Sequence, residues 1–153
     1  MEPRRVQESE TTLAQVMLPS DANTQGNVHG GTIMKLVDTA GGIAAIRHSR
    51  HRVVTVIMDS MTFLEPVYVG DLVTVHARLT WTGRTSMEAE VRVEAENVAS
   101  GVVTHTSTAY LVYVALDDEG KPCPVPSLEL TTDDERARWQ QAQARRAYRL
   151  ASR

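Results

Sequence analysis

Cysteine occurs once in this chain, as Cys123 within "KPCPVP", so no intrachain disulfide can hold the fold and a reducing compartment is expected. Aromatic residues are only 5% of the sequence, too few for a surface built to stack nucleic-acid bases. No stretch reaches the roughly eighteen apolar residues of a bilayer-spanning helix, and the opening "MEPRRVQESE" lacks the apolar centre of a signal peptide. A dominant charge is missing too: the net charge of −3 leaves no basic footprint for nucleic acid. What remains fits one globular domain with a real core, 42% apolar and 23% charged over 153 residues. The cytoplasm is the expected location, with neither nucleic acid nor a membrane as partner.

Local patterns divide the chain. Residues 1–10 read as an N-terminal tail and 11–117 as the folded domain. Within it, "TTLAQVML" (Thr11 to Leu18) reads as a strand, followed by turn chemistry in "PSDANTQGN". From Gly30 to about His48 the recurrence of Ile33, Val37, Ala40 and Ala44 at three- and four-residue spacing predicts a helix. Four more strands follow, Val53 to Phe63, Asp71 to Trp81, Ser86 to Glu96 and Val102 to Leu116. The strand from Ser86 alternates Met87, Ala89, Val91, Val93 and Ala95 with Glu88, Glu90, Arg92, Glu94 and Glu96, the pattern of a half-solvated antiparallel strand. The glycine-bearing connectors "VGD", "TGR" and "ASG" predict hairpins between neighbours. One strand, one helix and four strands make an α+β fold.

Residues 118–131 form a proline-rich connector, and 132–153 read as a C-terminal helix or a flexible tail. Thr132 with Glu135 suits a capping box, and acids lead while arginines close the segment, as the helix dipole favours. From Thr132 onward six arginines face three acids. A solvated helix, or one resting weakly on a neighbour through Trp139 and Leu150, is the reading this composition supports.

The chemically interesting stretch is "NVHGGTIMKLVDTAGG" (Asn27 to Gly42). Asp38 lies well off the apolar stripe of its helix, beside Met34, Gly41, Gly42 and Ala45. Glycine within a helix costs about 1 kcal/mol relative to alanine, so the pair calls for a reason, such as room for a ligand or a second subunit. A carboxylate placed there would be partly desolvated and suited to act as a base. Gly30 and Gly31 occupy the helix start, whose free N–H groups can bind a developing oxyanion. Asp38 follows about 12 Å along the axis, too far to serve the same carbonyl carbon. Either an extended substrate runs along the helix or a second subunit brings its own groups. Taken singly, "HGG" also fits a plain tight turn and Asp38 a solvated or ion-paired residue.

Together, "SDANTQGNVHGGTIMKLVDTAGGIAAIRH", "VVTVIMDSMTFLEPVYVGDLV" and "TGRTSMEAEVRVEAEN" resemble the hotdog-fold acyl-CoA thioesterases, in the acyl-CoA hydrolase branch that includes two-domain cytosolic enzymes. The resemblance runs from about Leu13 to Val114. It implies a long central helix wrapped by an antiparallel β-sheet, a side-by-side dimer with active sites at the interface, and further assembly into a trimer of dimers. It also implies a catalytic pair from opposite subunits, here Asn23 and Asp38, fifteen residues apart. The expected reaction is hydrolysis of an acyl-CoA thioester to a carboxylic acid and CoA. In it Asp38 serves as general base or nucleophile, Asn23 orients water or thioester, and the N–H of Gly30 or Gly31 polarises the carbonyl. No cofactor or metal is expected.

For the CoA phosphates, Arg84 with Thr85 and Ser86 matches a segment the family uses along the pantetheine and nucleotide, and Arg52 in "RHSRHR" is a further cation. Met61 and Phe63 are candidates for the acyl pocket, with core packing as the other explanation. Two rival functions are a hotdog hydratase or dehydratase, whose "HxPxxPG" signature is missing, and a non-catalytic acyl-CoA-binding or sensing module, which would be expected to lack Asn23 or Asp38.

Overall fold

The computed structural model describes residues 1–59 and 61–152. Among the described residues seven strands are formed: β1 (Arg4–Arg5), β2 (Thr11–Val16), β3 (Arg52–Asp59), β4 (Leu72–Thr82), β5 (Ser86–Asn97), β6 (Val102–Leu116) and β7 (Leu128–Glu129). The helices are α1 (Gly30–Ser49) and α2 (Asp133–Ala151). The main sheet has the order β2-β4-β5-β6-β3 and is antiparallel throughout. α1 lies along one face, so the expected α+β architecture of a long helix wrapped by an antiparallel sheet is what the chain adopts.

Two of the three expected hairpins form, β4–β5 and β5–β6. The third does not, because β3 pairs with β6 and the chain then crosses to the far side of the sheet. Gly70, at φ +91, makes its turn against the end of β2, where Met17 exchanges hydrogen bonds with Asp71 and Gly70. A glycine turn encodes a local reversal; which strand becomes the partner is decided by burial. β3 also stops at Asp59: the expected strand through Phe63 crosses Ser60, outside the described residues, and Met61–Phe63 is irregular.

The core sets small side chains of α1 against larger ones of the sheet. Ile33, Val37, Ala40 and Ala44 of α1 are buried against Val73, Val75 and Leu79 of β4, Met87, Ala89 and Val91 of β5, and Leu111 and Tyr113 of β6. Gly41 permits the closest approach: a Cβ built there would meet the Tyr113 hydroxyl and lie 3.2 Å from its ring. The space left by this glycine is therefore filled by the chain's own tyrosine rather than kept for a ligand or a second subunit. At Gly42 a Cβ would lie 3.7 Å from the same ring, an ordinary contact.

The ends of the chain pack onto this body. Residues 1–10 include β1, paired in parallel with β7, and a buried Val6; Ser9 accepts a hydrogen bond from the Leu79 N–H at 3.0 Å. Thr132 caps α2 by accepting from the Glu135 N–H at 3.1 Å, but the Glu135 carboxylate reaches past it to the Thr131 N–H and to Gln7. α2 covers the outer face of the sheet, where the sequence suggests solvent. Glu88 and Glu90 are only 1% and 2% exposed. Arg145 binds Glu88 through two nitrogens at 2.8 and 3.0 Å and stacks on Tyr110, while Arg138 binds Glu90. The helix is thus held by arginines and by Gln143 accepting from the Trp81 indole; Leu150 is exposed.

Near the end of α1 the buried His48 donates from Nε2 to the Pro126 carbonyl at 2.7 Å, while its Nδ1 has no partner among the described residues. Burial holds this imidazole below its ordinary value of 6.5, against the opposing pull of the Pro126 carbonyl.

Three outcomes follow from this packing. Gly41→Ala should destabilise by about 1–3 kcal/mol through overpacking against Tyr113, whereas Gly42→Ala should be neutral or stabilise by up to about 1 kcal/mol; urea denaturation of both variants separates the two. Arg145→Ala strands the buried Glu88 carboxylate and should cost about 3–5 kcal/mol, part of which Glu88→Gln restores in the double variant. Because folded His48 resists protonation and the unfolded chain does not, stability should fall as pH drops below about 6.5, and His48→Gln should flatten that limb of the stability profile.

Candidate active site

The site residues suggested by the sequence fall into three groups in one chain. The first surrounds the start of α1. Asn23 is fixed by its own loop: Oδ1 accepts the N–H groups of Gln25 at 2.9 Å and Asn27 at 3.2 Å, and its backbone N–H donates to the Asn27 carbonyl. Because backbone donors hold the carbonyl end, the carboxamide N–H₂ is the part left to meet a ligand. Gly30 and Gly31 open the helix after His29, whose side chain makes no cap, so their N–H groups lack intrahelical acceptors. A Cβ on Gly31 would meet open space, whereas one on Gly30 would sit 3.3 Å from the Phe63 ring. Asn23, Gly30, Ile33, Phe63 and Val67 line a cleft of about 360 Å³.

The second group lies two turns further along α1. Asp38 is half-buried, and its Oδ1 accepts from the Thr55 hydroxyl at 2.8 Å and the Tyr113 hydroxyl at 3.0 Å. The same phenol is 3.0 Å from the Asp38 carbonyl, so its proton is shared between the two. Burial above all, then the adjacent Asp38 charge, pushes the Tyr113 phenol well above its ordinary value of 10.0, which keeps it a donor. Among the described residues no donor reaches Oδ2 of Asp38. Thr55 belongs to β3, the edge strand of the sheet, where Val54 and Val56 are 46% and 54% exposed. β3 carries a bulge between Thr55 and Ile57, a feature that re-aims side chains at strand edges.

The third group sits at the opposite end of the sheet from Phe63. Arg84 and Thr85 make the β4–β5 turn, and Ser86 begins β5 opposite Val114. The Arg84 and Thr85 carbonyls accept from Val125 and Ala115, leaving the Arg84 guanidinium exposed. Arg52 starts β3 and donates to the Asp117 carbonyl at 3.2 Å. It precedes Thr55 by three residues, about 10 Å along the strand. Met61 is half-buried and packs on the core, while Phe63 is 46% exposed beside Gly30.

One chain therefore does not gather these groups into one pocket. It carries an amide-and-N–H half near the helix start and a carboxylate-and-cation half toward the other end. Thr55 and Tyr113 were not suggested by the sequence. Neither has a local cue, since Thr55 follows Asp38 by seventeen residues and Tyr113 lies in the last long strand.

Residues 25–102 match the family model of the thioesterase superfamily. The chain is 38% identical over 146 residues to the cytosolic acyl coenzyme A thioester hydrolase of Rattus norvegicus, covering 94% of this chain but 38% of that protein. It thus spans well under half the length of that relative. It superposes on an apo-hexameric acyl-CoA thioesterase with a TM-score of 0.95 at 36% identity, over 99% of this chain and 97% of the other. An acyl-CoA hydrolase from Staphylococcus aureus, solved in complex with butyryl-CoA, CoA and CoA disulfide, gives a TM-score of 0.86 at 33% identity over 97% of this chain and 93% of that one. Alanine variants of the staphylococcal enzyme have been solved at an asparagine, an aspartate fifteen residues later and a threonine seventeen residues after that. Asn23, Asp38 and Thr55 have the same spacings.

Proposed function

The chain belongs to the thioesterase superfamily, and from that premise we propose that it hydrolyses acyl-CoA thioesters to carboxylic acid and CoA at sites shared by two copies of itself. The observation that carries this reading is Asp38: a carboxylate with one oxygen held by Thr55 and Tyr113 and the other without a donor among the described residues, next to the edge strand β3.

Antiparallel pairing of two β3 edges about a two-fold axis would cover Val54 and Val56 and extend the sheet across both copies. The axis reverses the strand direction. The partner's helix start, with its Asn23 amide and glycine N–H groups, then lies toward the Arg52 and Arg84 end of this copy. The separation of about 12 Å between Gly30 and Asp38 in one chain ceases to matter, because the two halves of a site come from different chains. Each dimer holds two equivalent sites. The hexameric relatives support assembly of three such dimers, and the cytosolic relative supports a cytoplasmic location.

In the reaction, Asp38 takes the proton of a water that attacks the thioester carbonyl carbon, or attacks the carbon itself to give an anhydride that water then opens. The partner's Gly30 and Gly31 N–H groups receive the negative charge that develops on the carbonyl oxygen. Asn23, with its own carbonyl end committed to the loop, contributes N–H donors that orient the water or the thioester. The C–S bond breaks and CoA leaves as thiolate, to be protonated. Arg84 and Arg52 hold the CoA phosphates, Thr85 and Ser86 flank the pantetheine, and Met61 and Phe63 border the acyl chain. Water is the only co-reactant, so no cofactor is needed.

Asp38→Asn should lower thiol release from acyl-CoA by about 10²–10⁴-fold with the fold intact, and Asn23→Ala should also impair it strongly. Mixing the two inactive variants under conditions that re-form dimers tests the division between chains: each heterodimer would have one whole site, returning about a quarter of native activity. Mixtures as inactive as their parents would mean that the pair does not act across copies.

A further inference from the structure

On the outer face of the sheet, away from Asp38, the strands β2, β4 and β5 and the helix α2 enclose a cavity of about 400 Å³. Strand register builds its floor. Thr12 lies opposite His76 and His76 opposite Arg92, a row across three strands, with Arg78 and Glu90 paired in the next row. Arg138 enters from α2, and Glu10 adds a carboxylate to the lining.

Most of these groups already have partners. Arg78 and Arg138 share Glu90 and Asp134. The His76 ring lies between the Thr12 hydroxyl at 3.2 Å and Glu94 at 3.6 Å. Arg92 differs: it is exposed, its cross-strand neighbours are His76 and Thr108, the acids beside it on β5 are engaged elsewhere, Glu90 by Arg78 and Arg138 and Glu94 by His76, and no carboxylate or carbonyl among the described residues receives its guanidinium. A guanidinium offers a planar fork that fits phosphate oxygens two at a time. The cavity is larger than a bare phosphate and within the range of small-molecule sites.

We infer that this cavity binds the phosphate group of a phosphorylated small molecule, with Arg92 as the primary contact and the Thr12 hydroxyl beside it. Arg78 and Arg138 add positive charge without needing to release Glu90, and Glu10 is placed to accept hydrogen bonds from the rest of such a ligand. The site lies on the opposite face of the sheet from α1 and the proposed acyl-CoA site and does not rest on that function.

Titration calorimetry of the full chain with inorganic pyrophosphate, at ionic strength held constant with sodium chloride, tests this directly. Saturable binding at one site per chain is expected, weakened at least about tenfold by Arg92→Glu, the loss of one charge-assisted contact or more. Arg92→Lys should retain part of the affinity. The unliganded melting temperature and thiol release of Arg92→Glu should match the native protein, since Arg92 is exposed and outside the proposed acyl-CoA site. The inference is overturned if no saturable binding occurs, if sulfate binds as well as pyrophosphate, or if Arg92→Glu binds as the native chain does. Because the measurement needs no turnover, its outcome is separate from that of the hydrolysis assay.

Discussion

The rest of the structure depends on how closely α1 approaches the sheet, and one pair of residues sets that distance. Gly41 has no side chain where Tyr113 presses against the helix, and the phenol can therefore extend past it to the Asp38 carboxylate and carbonyl. Alanines at positions 40, 44 and 45 keep the remaining contact equally shallow. A bulkier residue at position 41 would move the helix outward and take Asp38 off both its donors. Close packing and the geometry of the acid are thus one constraint.

That constraint also explains why Asp38 sits at an edge rather than in a closed pocket. Thr55, its other donor, is on β3, the last strand of the sheet order, and the bulge beside it turns that strand's side chains. The fold delivers a braced carboxylate to an unfinished border and a set of free N–H groups to the far end of the same helix. Under the proposed function neither half is a site alone. The hydrogen bonds that orient each half are internal to the chain, so both are organised before any partner arrives.

What could be read from the sequence was what repeats locally. The three- and four-residue recurrence of Ile33, Val37, Ala40 and Ala44 gave α1 nearly to the residue, and the ends of β4, β5 and β6 agree within one position. The colinear motifs around Asn23, Asp38 and Arg84 carried the family. What escaped was tertiary. The turn at Gly70 looked like a hairpin because nothing in "VGD" states which strand lies beside the next one. Thr55 and Tyr113 looked like ordinary strand residues because their partner is on a helix. Glu88 and Glu90 looked solvated because a charged alternation is identical whether water or arginine faces it; only the arrangement of Arg138 and Arg145 on a distant helix decides between the two.

Those arginines have a consequence for how this face can change over evolutionary time. Glu88 is matched by Arg145, and Glu90 by Arg138 and Arg78, and a carboxylate left alone at such depth costs more than the pair contributes. Drift at these positions should therefore proceed by joint replacement. An apolar residue on β5 should be accompanied by an apolar or small one on α2, so that two segments distant in sequence vary together.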